Sequence, residues 1–170
     1  EAALIVSKTA PGYLRKQWGF TGLPEFSSSE WLKVKNEADD QRIELPKGVL
    51  QGCEIDPEIA LICRDNMRAA GFHKQIEVWR KDFSDHQPGP QPGFLIANPP
   101  HGKRLSEVDS LKALYRRLGD FMKQRLAKNA RGFIFSGSLE LGKEIGLAAK
   151  RRHVIPNGGE DARLLEFEIF

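Results

Sequence analysis

The sequence predicts an α/β fold built on a mostly parallel sheet that ends in an antiparallel hairpin. Three observations predict it. Short apolar runs at 49–55, 76–79 and 94–97 alternate with amphipathic helical stretches, the pattern of parallel strands joined by crossover helices. The last of these runs, Phe94-Leu95-Ile96-Ala97, is closed abruptly by Asn98-Pro99-Pro100-His101, and proline cannot donate to a sheet ladder. Two further apolar runs, 152–155 and 163–170, flank Pro156-Asn157-Gly158-Gly159, a hairpin signal. At 170 residues, with 40% hydrophobic and 29% charged side chains, the chain reads as one soluble domain over 1–170.

Taken in order, residues 1–8 (EAALIVSK) read as a helix that begins without a cap. Residues 9–29 are an irregular insert rich in Gly, Pro and aromatics, and a loop of that length is usually functional or disordered. The serine triplet 27–29, with Glu30 behind it, starts a helix that sets Trp31, Val34 and Ala38 on one face. Lys47-Gly48 punctuates before the strand 49–55 (VLQGCEI). Pro57 opens an amphipathic helix carrying Ile59, Ile62, Cys63 and Met67, closed by Gly71. A short strand at 76–79 runs into Lys81-Asp82-Phe83. After a Pro/Gly-rich loop and the strand before Asn98, a strong helix covers 110–128 and a buried strand 132–135. A further helix is expected at 139–147 before the hairpin. Cys53 and Cys63, on a strand and a helix, are expected as two buried thiols of a reducing compartment. The histidines are scattered, and no Cys/His group has metal-ligand spacing, so no metal is expected. No apolar stretch nears the roughly 18 residues of a membrane span, so a cytoplasmic chain with no membrane partner is expected. A net charge of +3 permits a nucleic-acid partner without demanding one.

The Asn98-Pro99-Pro100 turn carries the chemistry. It delivers an amide and a stiff, carbonyl-rich turn to the strand end where open α/β folds bind ligands. Carbonyl oxygens held there can accept both protons of an exocyclic amine, as on guanine or adenine. As a plain loop, the triplet would arise by chance in roughly one chain in sixty of this length. Its place after a strand, downstream of a second strand that ends in the acids Glu54 and Asp56, raises its weight.

The parallel strands with a terminal hairpin have the layout of Rossmann-like methyltransferases. The segments EAALIV, APG…WGF, GCEIDPEIALICRDNMRAAGF, NPPHGKRL, LYRRLGDFMKQ and PNGG extend the likeness along nearly the whole chain. Together they resemble the catalytic domain of the THUMP-associated bacterial 23S rRNA guanine-N2 methyltransferases. The resemblance implies S-adenosylmethionine as cofactor, 23S rRNA as partner and a THUMP-type RNA-binding domain upstream. Carried over by position, Glu54 matches the acid that holds the cofactor's ribose hydroxyls, where the family usually has Asp, and Asp56 is a rival for that role. Asp82 matches the acid that receives the adenine amino group, and Phe83 packs on the adenine ring. Asn98, Pro99 and Pro100 match the turn that holds the acceptor amine, with Asn98 also bordering the cofactor. His101 stands where the family places tyrosine or phenylalanine and would serve as a stacking platform with less area. The family's first strand, with its glycine loop, is expected immediately before Glu1 and is missing from this sequence.

For RNA, Lys103 and Arg104 follow the catalytic turn directly and suit phosphates flanking the target. Arg15, Lys16 and Trp18, in a stretch that continues to Phe20, mix cations and aromatics in the manner of a surface that stacks unpaired bases. Two other classes stay open. The turn serves adenine-N6 methylation of DNA or RNA equally well, and without the glycine loop the chain could be an RNA-binding module that has lost its cofactor.

Overall fold

The computed structural model describes residues 1–100, 108–157 and 160–170. Backbone contacts divide the chain into two compact units, Glu1–Phe83 and Ser84–Phe170.

The first unit opens with a short helix, α1 (Ala2–Val6), and the insert contains a single 3-10 turn at Gly19–Gly22. The insert has a small aromatic core of its own. Trp18 lies edge-on to Trp31 at 5.1 Å and beside Phe20 at 5.4 Å, and Phe20 reaches Phe26 at 5.9 Å. Gly12, at φ +75°, lets the backbone pass close over the Trp18 ring. Helix α2 (Ser28–Asp39) starts at the expected serines, the Ser27 hydroxyl accepting from the Glu30 amide at 3.4 Å. Its expected apolar face is only partly used: Trp31 joins the aromatic cluster, while Val34 is 56% exposed.

Strand β1 (Leu50–Glu54) pairs in parallel with β2 (Ile76–Arg80), Leu50 opposite Ile76 and Glu54 opposite Arg80. Between them runs α3 (Pro57–Ala69), entered at Pro57 and followed by Gly71 at φ +79°. Ala3, Leu45 and Phe72 form a small core against Leu4, Leu50 and Ile76. The amphipathic reading of α3 holds in sequence, yet Ala60 is its only buried side chain; Ile59 and Ile62 are exposed. Cys53 and Cys63 are free thiols as expected, but half-buried rather than buried. Cys53 sits on a strand with one neighbour, and Cys63 lies on the helix whose apolar side is open.

The second unit carries a four-stranded sheet in the order β3-β4-β6-β5. Strand β3 (Phe94–Ala97) runs parallel to β4 (Arg131–Ser136), and β4 is antiparallel to β6 (Glu160–Glu168). Strand β5 (Arg151–Asn157) closes the hairpin, Asn157 opposite Glu160; the Gly158-Gly159 part of the expected hairpin signal lies outside the described residues. Helix α4 (Val108–Arg125) and the short α5 (Leu139–Glu144) cover one face. Both helices end earlier than the periodicity suggests, ahead of Asn129 at φ +65° and Gly146 at φ +65°. The core beneath them holds Tyr115, Met122, Ile134, Ile145, Leu165 and Phe167, each at most 5% exposed. Two glycines make this packing possible. A Cβ on Gly119 of α4 would stand 1.8 Å from the Ile145 carbonyl oxygen, and one on Gly132 of β4 would stand 2.4 Å from Met122 Sδ.

Candidate active site

In the first unit, the parallel register brings β1 and β2 to a common end. There the Lys81 amide donates to the Glu54 carbonyl at 3.0 Å, so Asp82 and Phe83 follow on at the level where Glu54 finishes its strand. One Glu54 oxygen, Oε1, accepts from the Asp56 amide at 2.9 Å, and Oε2 has no partner among the described residues. The two rival acids thereby separate. Asp56 Oδ1 accepts from the amides of Glu58 at 2.8 Å and Ile59 at 3.1 Å, which makes it the N-cap of α3. Glu54 is left with an oriented carboxylate and an open oxygen, suited to hydroxyl donors. On the neighbouring backbone, burial pushes the Cys53 thiol up from its ordinary pKa, opposed by the nearby Lys81 charge, so it is a poor nucleophile.

In the second unit, Asn98, Pro99 and Pro100 leave β3 one residue after Ala97 pairs with Ile134. Pro99 is buried while Asn98 and Pro100 are exposed. The turn is thus anchored at its centre, and the Asn98 amide has no hydrogen-bond partner among the described residues. Behind it, Tyr115 of α4 and Ser136 of β4 share a buried hydroxyl contact at 3.3 Å. Burial raises the Tyr115 pKa, the Ser136 hydrogen bond opposing it, so the phenol stays neutral. His101, Lys103 and Arg104 lie outside the described residues.

Arg15 and Lys16 are exposed at the surface of the insert. The Arg15 guanidinium lies 5.3 Å from the Trp18 ring, and Trp18 itself is half-buried in the aromatic cluster. Sequence reasoning missed a second feature, the ion cluster on the face of β6 opposite α5. Glu166, its side chain 3% exposed, accepts from Arg131 at 2.6 Å and meets His153 at 3.2 Å. The carboxylate is covered by its partners' side chains, and their hydrogen bonds, Arg131 first, hold its pKa below the usual glutamate value. Strict alternation in β6 was the available signal, since Glu166 falls between the core residues Leu165 and Phe167.

A family model described as RMKL-like, methyltransferase domain, matches residues 1–164. The chain belongs to that family. A ribosomal RNA large subunit methyltransferase K/L of Allochromatium vinosum is 36% identical over 173 residues, an alignment covering 99% of this chain and 23% of the relative. The corresponding protein of Syntrophotalea carbinolica is 34% identical over 99% of this chain and 24% of its own length. The chain therefore spans about a quarter of the length of the curated relatives it matches. Among solved structures, SMU.472, a candidate methyltransferase complexed with SAH, superposes with a TM-score of 0.89 at 25% identity, covering 99% of this chain and 44% of that one. A candidate methylase from Clostridium difficile 630 gives 0.86 at 27% identity, covering 98% and 44%. The fold is that of the class I methyltransferases: parallel strand pairs with a closing antiparallel hairpin. No helix among the described residues is long and apolar enough to cross a membrane.

Proposed function

We propose that this chain is a catalytic domain for S-adenosylmethionine-dependent methyl transfer to the exocyclic N2 of a guanine in 23S rRNA. The observation that carries the reading is the Asn98-Pro99-Pro100 turn, with a buried proline at its centre and an exposed amide lacking a partner among the described residues. Membership in a methyltransferase-domain family, and relatives that are ribosomal RNA large subunit methyltransferases, support it.

The residues fit the cofactor where they can be judged. Glu54 offers one fixed and one open carboxylate oxygen, acceptors of the kind that vicinal ribose hydroxyls would donate to. Asp82 would receive the adenine amino group, and Phe83 would pack on the ring. When bound, S-adenosylmethionine supplies a methyl group already activated by its positive sulfur. The chain's own task is to prepare the acceptor. A guanine amine has its lone pair delocalised into the ring and attacks only as nitrogen turns pyramidal. Asn98 Oδ1 and the Pro99 carbonyl would accept hydrogen bonds from its two N–H groups and favour that geometry; one of those protons would pass to water once the carbon–nitrogen bond has formed and the methyl has left its sulfur. Positioning and electrostatics then carry most of the rate. The base must leave its helix or come from a loop, with His101 as the stacking surface. Lys103 and Arg104 would hold phosphates beside it, and Arg15, Lys16 and Trp18 would meet RNA further out. A THUMP-type RNA-binding domain elsewhere in the polypeptide would add affinity, and an rRNA substrate sets the reaction in the cytoplasm.

The test is methyl transfer to purified rRNA, tRNA and DNA in parallel, with mass spectrometry of rRNA from cells lacking the gene. One missing N2-methylguanine supports the reading. Loss of N6-methyladenine from DNA, with rRNA unchanged, assigns adenine-N6 chemistry instead. RNA binding without cofactor binding leaves an RNA-binding module.

A further inference from the structure

A cavity of about 410 Å³ opens within the second unit, between α5 and the β5–β6 hairpin. That volume lies within the range of about 300–1,000 Å³ common for ligand sites. The strand register explains its position. Ser136, Arg163 and Val154 form one row across β4, β6 and β5, and Leu165 with Arg152 belongs to the next. Helix α5 covers the inner rows, with Gly142 drawn so close that a Cβ there would stand 2.9 Å from Leu165 Cδ1. The outer row is left open.

Its lining divides by chemistry. Leu139, Leu147, Leu165 and Phe167 give an apolar floor, while Lys143, Arg152 and Arg163 bring three cations. No carboxylate is among the described lining residues. Two nearby cations are neutralised: Lys150, just before β5, pairs with Glu168, and Arg116 of α4 pairs with Glu144 at 2.7 Å. Lys143 and Arg152 have no ion-pair partner among the described residues, and both are exposed. Lys143 and Arg152 therefore leave positive charge beside an apolar recess, uncompensated among the described residues, and an anion is drawn to it.

The cavity also shares a sheet end with the proposed catalytic turn. Because Ala97 pairs with Ile134 in a parallel ladder, Asn98 and Pro99 leave β3 at the level of Phe135 and Ser136, and Ser136 lines the cavity. Adjacent strands stand about 4.8 Å apart. Consecutive phosphates of an extended RNA strand are separated by more than that, so one strand can present a base at Asn98 and a neighbouring nucleotide to the cavity.

From this we infer that the cavity is a subsite for a nucleotide flanking the methylated base, its phosphate held by Lys143, Arg152 and Arg163 and its sugar and base on the apolar floor. The inference rests on the proposed RNA methyltransferase reading and adds how the substrate strand is gripped. It also predicts that part of the RNA affinity is independent of Lys103 and Arg104.

The experiment uses the full-length polypeptide and a single-stranded oligoribonucleotide containing the target guanine. Lys143→Ala/Arg152→Ala removes two exposed cations without touching the core. The expected result is a KM for RNA raised about tenfold with kcat within about twofold, and a salt slope reduced by about one to two. S-adenosylmethionine affinity and melting temperature should not move. Lys143→Arg/Arg152→Lys should restore most of the binding. If the wild type methylates RNA and the alanine variant keeps its KM and salt slope, the subsite assignment is overturned and the methyltransferase reading stands. A variant that loses binding of a free nucleoside monophosphate while keeping RNA affinity overturns it equally. If the wild type neither binds nor methylates RNA, the functional reading fails and takes this inference with it.

Discussion

Replacing Gly119 by alanine should destabilise the second unit, although the position is in a helix, where alanine is ordinarily the better residue. In an isolated helix the change is favourable by about 1 kcal/mol. Here the added Cβ would meet the Ile145 carbonyl oxygen at 1.8 Å, its carbon at 2.7 Å and its Cα at 3.2 Å. All three are backbone atoms at the end of α5, so no rotamer change relieves the contact. To restore an ordinary separation near 3.3 Å, α4 and α5 must part by over an ångström, and Ile145, 1% exposed, moves with the backbone. Overpacking of this kind costs about 1–3 kcal/mol or more, and a backbone clash belongs at the upper end. A net loss of about 2 kcal/mol lowers the melting temperature by about 4–8 °C in a chain of this size. Thermal and urea melts of wild type and Gly119→Ala measure it directly. A variant that melts at or above the wild-type temperature would refute the close approach of the two helices.

Three further outcomes are expected. Asn98→Ala should abolish methyl transfer while S-adenosylmethionine affinity stays within a few-fold, because in the proposed mechanism Asn98 acts on the acceptor; calorimetry and a radiolabelled methyl assay on the same preparation decide it. Glu54→Gln should weaken cofactor binding about tenfold or more, whereas Asp56→Ala should spare it and instead cost about 1 kcal/mol of stability as a lost N-cap. Glu166 has a folded pKa below its unfolded one, so its ion cluster stabilises the fold fully above the ordinary glutamate pKa of about 4.3 and progressively less as pH falls through the folded value. The stability difference between wild type and Glu166→Gln should therefore shrink as pH falls below about pH 4, as read from melts across that range.

Every strand and helix position was legible because each carries a local signal: β-branched or aromatic runs, Pro57 at a helix entry, Ser27 at a cap. Boundaries shifted where backbone conformation decided them, as at Asn129 and Gly146. The proposed site divides the same way. The Asn98 turn is written in consecutive residues, and so is the acid pair at 54 and 56. Which acid caps the helix depends on which oxygen meets which amide, and only the folded chain shows that. The alternation of β6 marks Glu166, but its ion partners and the cavity by α5 were invisible because their parts come from segments far apart in sequence. Arg131, His153 and Glu166 meet only through strand pairing, and so do Ser136, Arg152 and Arg163. Burial was misjudged along α3, where periodicity marks an apolar face but cannot say what covers it.

The two prolines after Asn98 have an effect on the kind of molecule the turn can receive. Backbone normally presents one donor and one acceptor per residue, and so greets carbonyls and amines alike. Pro99 and Pro100 contribute carbonyls and no N–H, which leaves two successive residues with acceptors alone. A group arriving there oxygen-first finds no main-chain hydrogen to bind across that stretch, and its lone pairs face those of the carbonyls. A group arriving with N–H bonds finds only acceptors. With Pro99 buried, the segment cannot easily rotate to present anything else. On the proposed reading the turn would sort the edges of a nucleobase before any chemistry begins, admitting amino edges and turning keto edges away.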